Sequence, residues 1–320
     1  MGILMALAAG ALLGLNAVFI KIGMRRGRID NGHFMSVLVN VLFLGVVMLF
    51  VSLPRWSWIG FGGFILAGLL TTWLGRGSSF TAIRLIGPPR QGAILVSSPL
   101  FAAIGGWFFL GEGITLVQGL GGLITLVGLW VLLRSRLKSE SSPSHSGMAH
   151  TLIEAPDATE PISATRAETA DSRHDFTRGF LIALMAAFFF GSGFVARKWG
   201  LSYFPSAVAG AFFGACTALS MIVLSSAARG NVRRLLEENF RQIPWWFVAG
   251  GIALSISLLL QFSSFSYLPA WIVSLLLTTQ AVWTLLWTWL FLRDEERIGR
   301  ELLLSIAFVL AGVAVMTYGP

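Results

Sequence analysis

The sequence predicts an all-α membrane protein: ten transmembrane helices forming two inverted five-helix repeats around a central cavity. Three observations carry that expectation. The 320 residues are 55% hydrophobic and only 12% charged, against a charged fraction near 25% in soluble domains. Apolar runs matching the ~30 Å hydrocarbon core of a bilayer recur along the whole chain. A polar stripe inside one of those runs returns in another, in the second half.

In chain order, the first-half spans are read at Gly2 to Ile22, Phe34 to Leu53, Trp58 to Ile83, Gln91 to Leu110 and Ile114 to Leu133. The second-half spans are Gly179 to Trp199, Ser206 to Ala227, Ile243 to Leu268, Trp271 to Leu292 and Leu302 to Tyr318. Between the halves, residues 134–178 are rich in Ser, Thr, Ala, Pro and acidic side chains. Such a composition buries too little apolar surface to form a core, so the segment reads as a disordered linker. The expected organisation is therefore a first repeat at 1–133, the linker at 134–178 and a second repeat at 179–320. No basic region precedes the first apolar run, whereas Lys21, Arg25, Arg26 and Arg28 follow it, the order of a retained span rather than a cleaved signal peptide.

Internal repetition supports the duplication. Gly2, Gly14, Lys21 and Gly23 return 177 positions on as Gly179, Gly191, Lys198 and Gly200. Ala6, Gly10 and Gly14 form a small-residue ridge, repeated as Ala183, Ala187 and Gly191, along which the first span of each half can pack closely on a neighbour. An odd number of spans per half makes the second half cross the membrane in the opposite sense, the plan by which secondary transporters place a site at the midplane.

The sharpest candidate is Arg76, inside the third run. Thr72, Arg76 and Ser79 stand at i, i+4 and i+7, so one helix face is polar. A charge at the bilayer centre costs roughly 2.5–3.5 kcal/mol, and such residues face a bundle interior or a wet cavity. A guanidinium there suits a carboxylate or phosphate; the competing role is an arginine satisfied by helix carbonyls or reaching for the interface. The stripe is expected to be mirrored 185 positions later by Ser257, Gln261 and Ser264. Asn16, Asn40, Ser98 and Gln280 are further hydrogen-bonding candidates for a substrate, with interhelical bonding of about 0.6 kcal/mol each as the alternative.

The stretch SSPLFAAIGGWFFLGEGITLVQGLGGLITLVGLWVL, with Pro99, Glu112, Gly121 and Gly128, resembles the EamA branch of the drug/metabolite transporter superfamily. In the second half Glu296, Arg297 and Gly312 match, Ser305 replaces a glycine and Gln280 is aligned with the proline, so the second fourth span is expected to lack a kink. GLNAVFIKIG and GSGFVARKWG resemble the family's first-span pattern. The resemblance covers both halves without the linker. It implies a ten-helix carrier with a central cavity, usually an exporter of amino acids, nucleotide precursors or other small metabolites. Gly14, Gly191, Pro99, Glu112, Glu296, Gly128 and Gly312 are assigned to structure, the two glutamates as caps on the last span of each half. Lys21 and Lys198 read as interface anchors.

Other chemistry is poorly provided for. Cys216 is the single cysteine and the four histidines lie outside the apolar runs, so neither a disulfide nor a metal site is expected, and no cofactor motif is present. All fifteen acidic residues lie in the linker, loops or span ends, which disfavours a proton relay. The net charge of +8 sits in short loops and fits a membrane surface better than nucleic acid. Its bias puts the linker in the cytoplasm and both termini outside a cell (inner) membrane, the reverse of the family tendency. The expected partners are the bilayer and a small metabolite, anionic or zwitterionic; oligomeric state is not legible. Two other classes compete with a carrier: an enzyme acting on lipid-linked substrates, for which clustered catalytic acids are missing, and a sensor or scaffold signalling through the linker.

Overall fold

The computed structural model describes residues 1–26, 32–86, 88–141, 162–240, 245–291 and 300–318. Those residues contain helices and no strand, as a bilayer demands of a chain that must satisfy its backbone internally. In the first repeat they are α1 (Gly2–Arg26), α2 (Gly32–Leu49), α3 (Trp58–Gly68), a π-helical stretch (Leu69–Gly75), α4 (Arg76–Ile86), α5 (Pro88–Leu95), α6 (Ser98–Leu110) and α7 (Leu116–Ser141). In the second they are α8 (Ile162–Tyr203), α9 (Ala207–Ala228), α10 (Val232–Phe240), α11 (Trp245–Ser264), α12 (Ala270–Thr278), α13 (Gln280–Phe291) and α14 (Arg300–Tyr318).

Among the described residues, six stretches are long and apolar enough to cross a membrane: Gly2–Gly23, Trp58–Ser79, Phe176–Tyr203, Ala207–Ala228, Trp245–Ser264 and Ala270–Phe291. Shorter apolar helices cover Phe34–Leu49, Ser98–Leu110 and Leu116–Gly128. Helix α7 runs to Ser141 and α8 begins at Ile162, so helix covers both ends of the hydrophilic segment; the linker's centre, 142–161, lies outside the described residues.

The two repeats exchange their helices. Helix α1 packs on α11, α12 and α13 of the second repeat, and α8 packs on α3, α4, α5 and α6 of the first; α2 meets α9, and α7 meets α14. Swapping the repeats maps this set of neighbours onto itself. Close approaches make the correspondence residue-specific. A methyl group added at Gly14 would sit 2.8 Å from the Thr284 nitrogen, and one at Gly191 would sit 2.5 Å from the Ser98 carbonyl oxygen. Both glycines of the sequence ridge therefore let one helix touch the backbone of the other repeat's fourth span. Gly23 lies on the Phe247 ring as Gly200 lies on Phe64, and each of those rings is wholly buried. Gly312 performs the same service between α14 and α7, against Gly121 and Thr125. Gly128 is buried on α7.

These equivalences correct the expected 185-residue register. Phe64 answers Phe247 and Gly68 answers Gly251, 183 apart, whereas Leu85 and Ile86 answer Tyr267 and Leu268, 182 apart. One residue is lost between the two offsets, and the π-helical stretch Leu69–Gly75 lies between them. A π-bulge is how a helix absorbs a one-residue insertion without rotating the turns beyond it. By the later offset, Gln261 corresponds to Ser79 and Arg76 to Leu258. Periodicity misses this because it presumes uninterrupted α-helix.

A second correction concerns the fourth spans. Both are broken, α5 from α6 at Val96 and Ser97, and α12 from α13 at Thr279. In the first repeat Pro99 occupies the first turn of α6, where a missing N–H costs nothing. By the 182 offset Ala281, not Gln280, stands opposite Pro99. The break there is made by hydroxyls instead: Thr278 Oγ1 donates to the Leu275 carbonyl at 2.5 Å and Thr279 Oγ1 to the Leu276 carbonyl at 2.6 Å. Such back-bonding competes with the helix ladder and bends it.

Candidate functional site

A cavity of about 340 Å³ lies between the repeats, lined by α1, α2, α3, the π-helical stretch, α4, α5 and α6 of the first and α8, α9, α11, α12 and α13 of the second. Both fourth-span breaks open onto it, through Val96 and Ser98 on one side and Thr278 and Gln280 on the other. The π-helical stretch contributes Thr71 and Thr72, with Arg76 directly after it. Arg76 is thus in the cavity wall, partly accessible.

The polar centre of the wall is Arg197, which was not among the substrate candidates read from the sequence. Helix α8 continues to Tyr203, so Arg197 lies well inside the span rather than at its end. Its Nη1 donates to Gln261 Oε1, and its Nη2 donates to Thr71 Oγ1 at 3.1 Å. The guanidinium carbon stands 5.3 Å from the Phe194 ring centre and 5.5 Å from that of Phe262, within cation–π range. Thr71 can accept because its own hydroxyl proton goes to the Ala67 carbonyl at 2.8 Å. Gly193 makes room for this: a Cβ there would collide with Thr71 Cγ2 at 2.3 Å. Arg76 shares the cavity.

Of the expected substrate contacts, Arg76, Thr72, Gln261, Asn40, Ser98 and Gln280 line the cavity. The structure directs the others elsewhere. Ser79 accepts from Gln91 Nε2. Ser257 Oγ donates to the Ala9 carbonyl of α1 at 2.7 Å, Ser264 Oγ to the Gln261 carbonyl at 2.7 Å, and Asn16 Oδ1 accepts from Ser36 at 3.4 Å. These four join helices or close a turn. Among the described residues, Asn40 Oδ1 and Ser274 Oγ are buried polar atoms with no hydrogen-bond partner, and both residues line the cavity. The signal for Arg197 was present: in the 177-residue register it replaces Ile20, an apolar span position, and lies one turn beyond Gly193.

Glu112 caps a different helix from the one expected. Helix α6 ends at Gly111 in the left-handed region, φ +66°, and Glu112 N–H then bonds the Gly106 carbonyl at 3.1 Å. The chain reversal aims the carboxylate at the second repeat, where it accepts the Ala270 N–H at 2.9 and 3.0 Å and caps α12. Lys198 Nζ lies 2.6 Å away and also donates to the Leu268 carbonyl at 2.8 Å. Gly106 leaves room for the carboxylate in this position: a Cβ there would stand 2.5 Å from Glu112 Oε2, so the side chain would have to shift. The start of α7 is capped instead by Thr115 with Gln118, each side chain facing the other's N–H, the capping-box arrangement. Glu296 and Arg297 lie outside the described residues. No group of three or more His, Cys, Asp or Glu that could hold a metal occurs among the described residues.

Two interlocked helical repeats closing on a shared pocket define a multi-pass membrane protein of two-repeat architecture. The chain belongs to the EamA-like transporter family, whose profile matches residues 1–134 and 177–318, and hence to the drug/metabolite transporter superfamily. A solved crystal structure, described only as that of a protein, matches with a TM-score of 0.66 and 18% identity over 99% of this chain and 96% of that one; this is a likeness of fold. No curated protein matches the sequence.

Proposed function

We propose that the protein is a secondary transporter that exports a small anionic or zwitterionic, amino-acid-like metabolite by alternating access. In this reading ten transmembrane helices form two inverted repeats, and one repeat rocks against the other around the shared cavity. The observation that carries it is the Arg197 contact set: a guanidinium from the second repeat meets Thr71 of the first beside Arg76, inside a pocket walled by both. A change in how the repeats meet would remake those contacts, and so couple substrate binding to rearrangement.

Export is tested by untargeted metabolite profiling of medium from cells with and without the protein, and with Ser139 to Asp171 deleted. A carrier releases the same compounds with and without that segment. Identical profiles in the presence and absence of the protein refute transport, and loss of export only on deletion favours a sensor acting through the linker. The proposed orientation, linker in the cytoplasm and termini outside an inner membrane, rests on the Lys and Arg bias of the loops. Protease or label access to a terminal tag from the outer face is the expected result; access from the cytoplasm alone reverses the assignment.

A further inference from the structure

Resting on the carrier reading of this cavity, we propose that Asn40 and Ser274 form a neutral subsite that selects a ligand bearing a hydroxyl group. Two sets of neutral polar side chains stand on the wall. Thr71 and Gln261 are engaged by Arg197. Asn40 and Ser274 line the same cavity at 2% and 1% exposure, and among the described residues Asn40 Oδ1 and Ser274 Oγ have no hydrogen-bond partner. They come from different repeats, Asn40 from α2 and Ser274 from α12, so a ligand that meets both is held by both halves. Ser274 departs from the habit of its setting. A hydroxyl inside an apolar helix commonly donates to a carbonyl three or four residues back, as Ser255 does to Gly251 at 2.8 Å and Thr278, also of α12, does to Leu275 at 2.5 Å. Ser274 makes no such bond. Nor does the backbone plan call for a hydroxyl there: by the 182 offset its counterpart is Gly92, which also lines the cavity.

A buried polar atom left unmet carries its full desolvation cost, and a ligand group that meets it offsets that cost on binding. A hydroxyl both donates and accepts. It therefore answers either end of the Asn40 amide and the Ser274 hydroxyl in either role, whereas an alkyl group answers none of them. One turn away on the same wall stand Val37 of α2 and Leu277 of α12, so a hydroxyl that misses the subsite on these helices is desolvated against hydrocarbon. A pocket built to hydrogen-bond a hydroxyl also rejects the analogue lacking it, because its own groups then stay unpaired. The subsite thus discriminates between compounds of equal charge and nearly equal size.

The test is ligand-dependent thermal stabilisation of the purified full-length protein, using pairs that differ by one hydroxyl: serine and alanine, malate and succinate, glycerol 3-phosphate and propyl phosphate. In at least one pair the hydroxylated member is expected to raise Tm at a concentration about tenfold or more below that needed by its partner. Asn40→Leu and Ser274→Ala should each remove most of that preference while the deoxy member still binds. Without ligand, both variants should hold or raise Tm, since each removes an unmet polar atom. Ser257→Ala, which deletes the bond to the Ala9 carbonyl, should lower it. Ser274→Ala deletes a single oxygen, so the test stands even if leucine at position 40 prevents folding. Equal responses within every pair, no response to any probe, undiminished preference in both variants, or a loss of Tm in both that matches Ser257→Ala overturns the proposal. A preference for hydroxylated probes in a protein that exports nothing would refute the carrier reading and leave the subsite standing; export confined to compounds without a hydroxyl would do the reverse.

Discussion

Arg197 and Glu112 show how a charged side chain survives in an apolar chain. Each is held by geometry that a neighbouring glycine permits: Gly193 admits Thr71 beside Arg197, and Gly106 admits the Glu112 carboxylate. Glu112 joins three segments at once, its own loop, Lys198 of α8 and the N-terminus of α12. Hydrogen bonds to charged groups contribute about 1.5–3 kcal/mol, and the two partners act as one unit. Glu112→Gln should therefore lower the Tm of the purified protein, and Lys198→Met should do likewise. The double variant is expected to cost less than the two single losses combined; strictly additive losses would mean that the pair is not coupled. Neither partner's role could be read from sequence. Glu112 precedes its last span closely enough to suggest a cap there, and only the left-handed turn at Gly111 sends it to the other repeat.

Helices in this fold are positioned by where backbone meets backbone. Gly191 and Gly62 illustrate the contrast: a methyl at Gly191 would collide with the Ser98 carbonyl, whereas Gly62 has nothing within 4 Å. Alanine in place of glycine within a helix favours folding by about 1 kcal/mol on propensity alone, and overpacking costs about 1–3 kcal/mol. Gly62→Ala should thus hold or raise Tm and Gly191→Ala should lower it, with equal effects contradicting the close approach. The ridge behind this prediction was legible, since identical small residues recur at one spacing in both halves. The π-helical stretch was not, because seven residues of Leu, Thr, Trp and Gly carry the same apolar content whether the turn is α or π. Because that stretch absorbs one extra residue, deleting one residue within Leu69–Gly75 should preserve folding, measured as monodisperse protein with Tm close to wild type. The same deletion is expected to remove most of the export, as it draws Thr71 and Thr72 out of the cavity wall. A collapse of folding would show that the insertion is not a bulge in the helix.

Across the molecule, the repeats enclose one another's first spans, so neither half could form this cavity alone: α1 lies in a cradle of second-repeat helices and α8 in a cradle of first-repeat helices. The membrane class, the duplication and the place of Arg76 on the cavity wall were readable in the sequence through composition, spacing and one charge in an apolar run. The mirrored polar stripe was not realised as expected. Gln261 enters the cavity as the partner of Arg197, while its repeat equivalent Ser79 bonds Gln91. The two halves share a backbone plan and have diverged in side chains near the pocket. The central claim is that Arg76 and Arg197 form the substrate-binding wall of a carrier. It is tested most directly by comparing export from cells carrying wild type, Arg76→Ala or Arg197→Ala at equal membrane abundance. Loss of nearly all protein-dependent export in both variants is the expected result; wild-type export from both would contradict it.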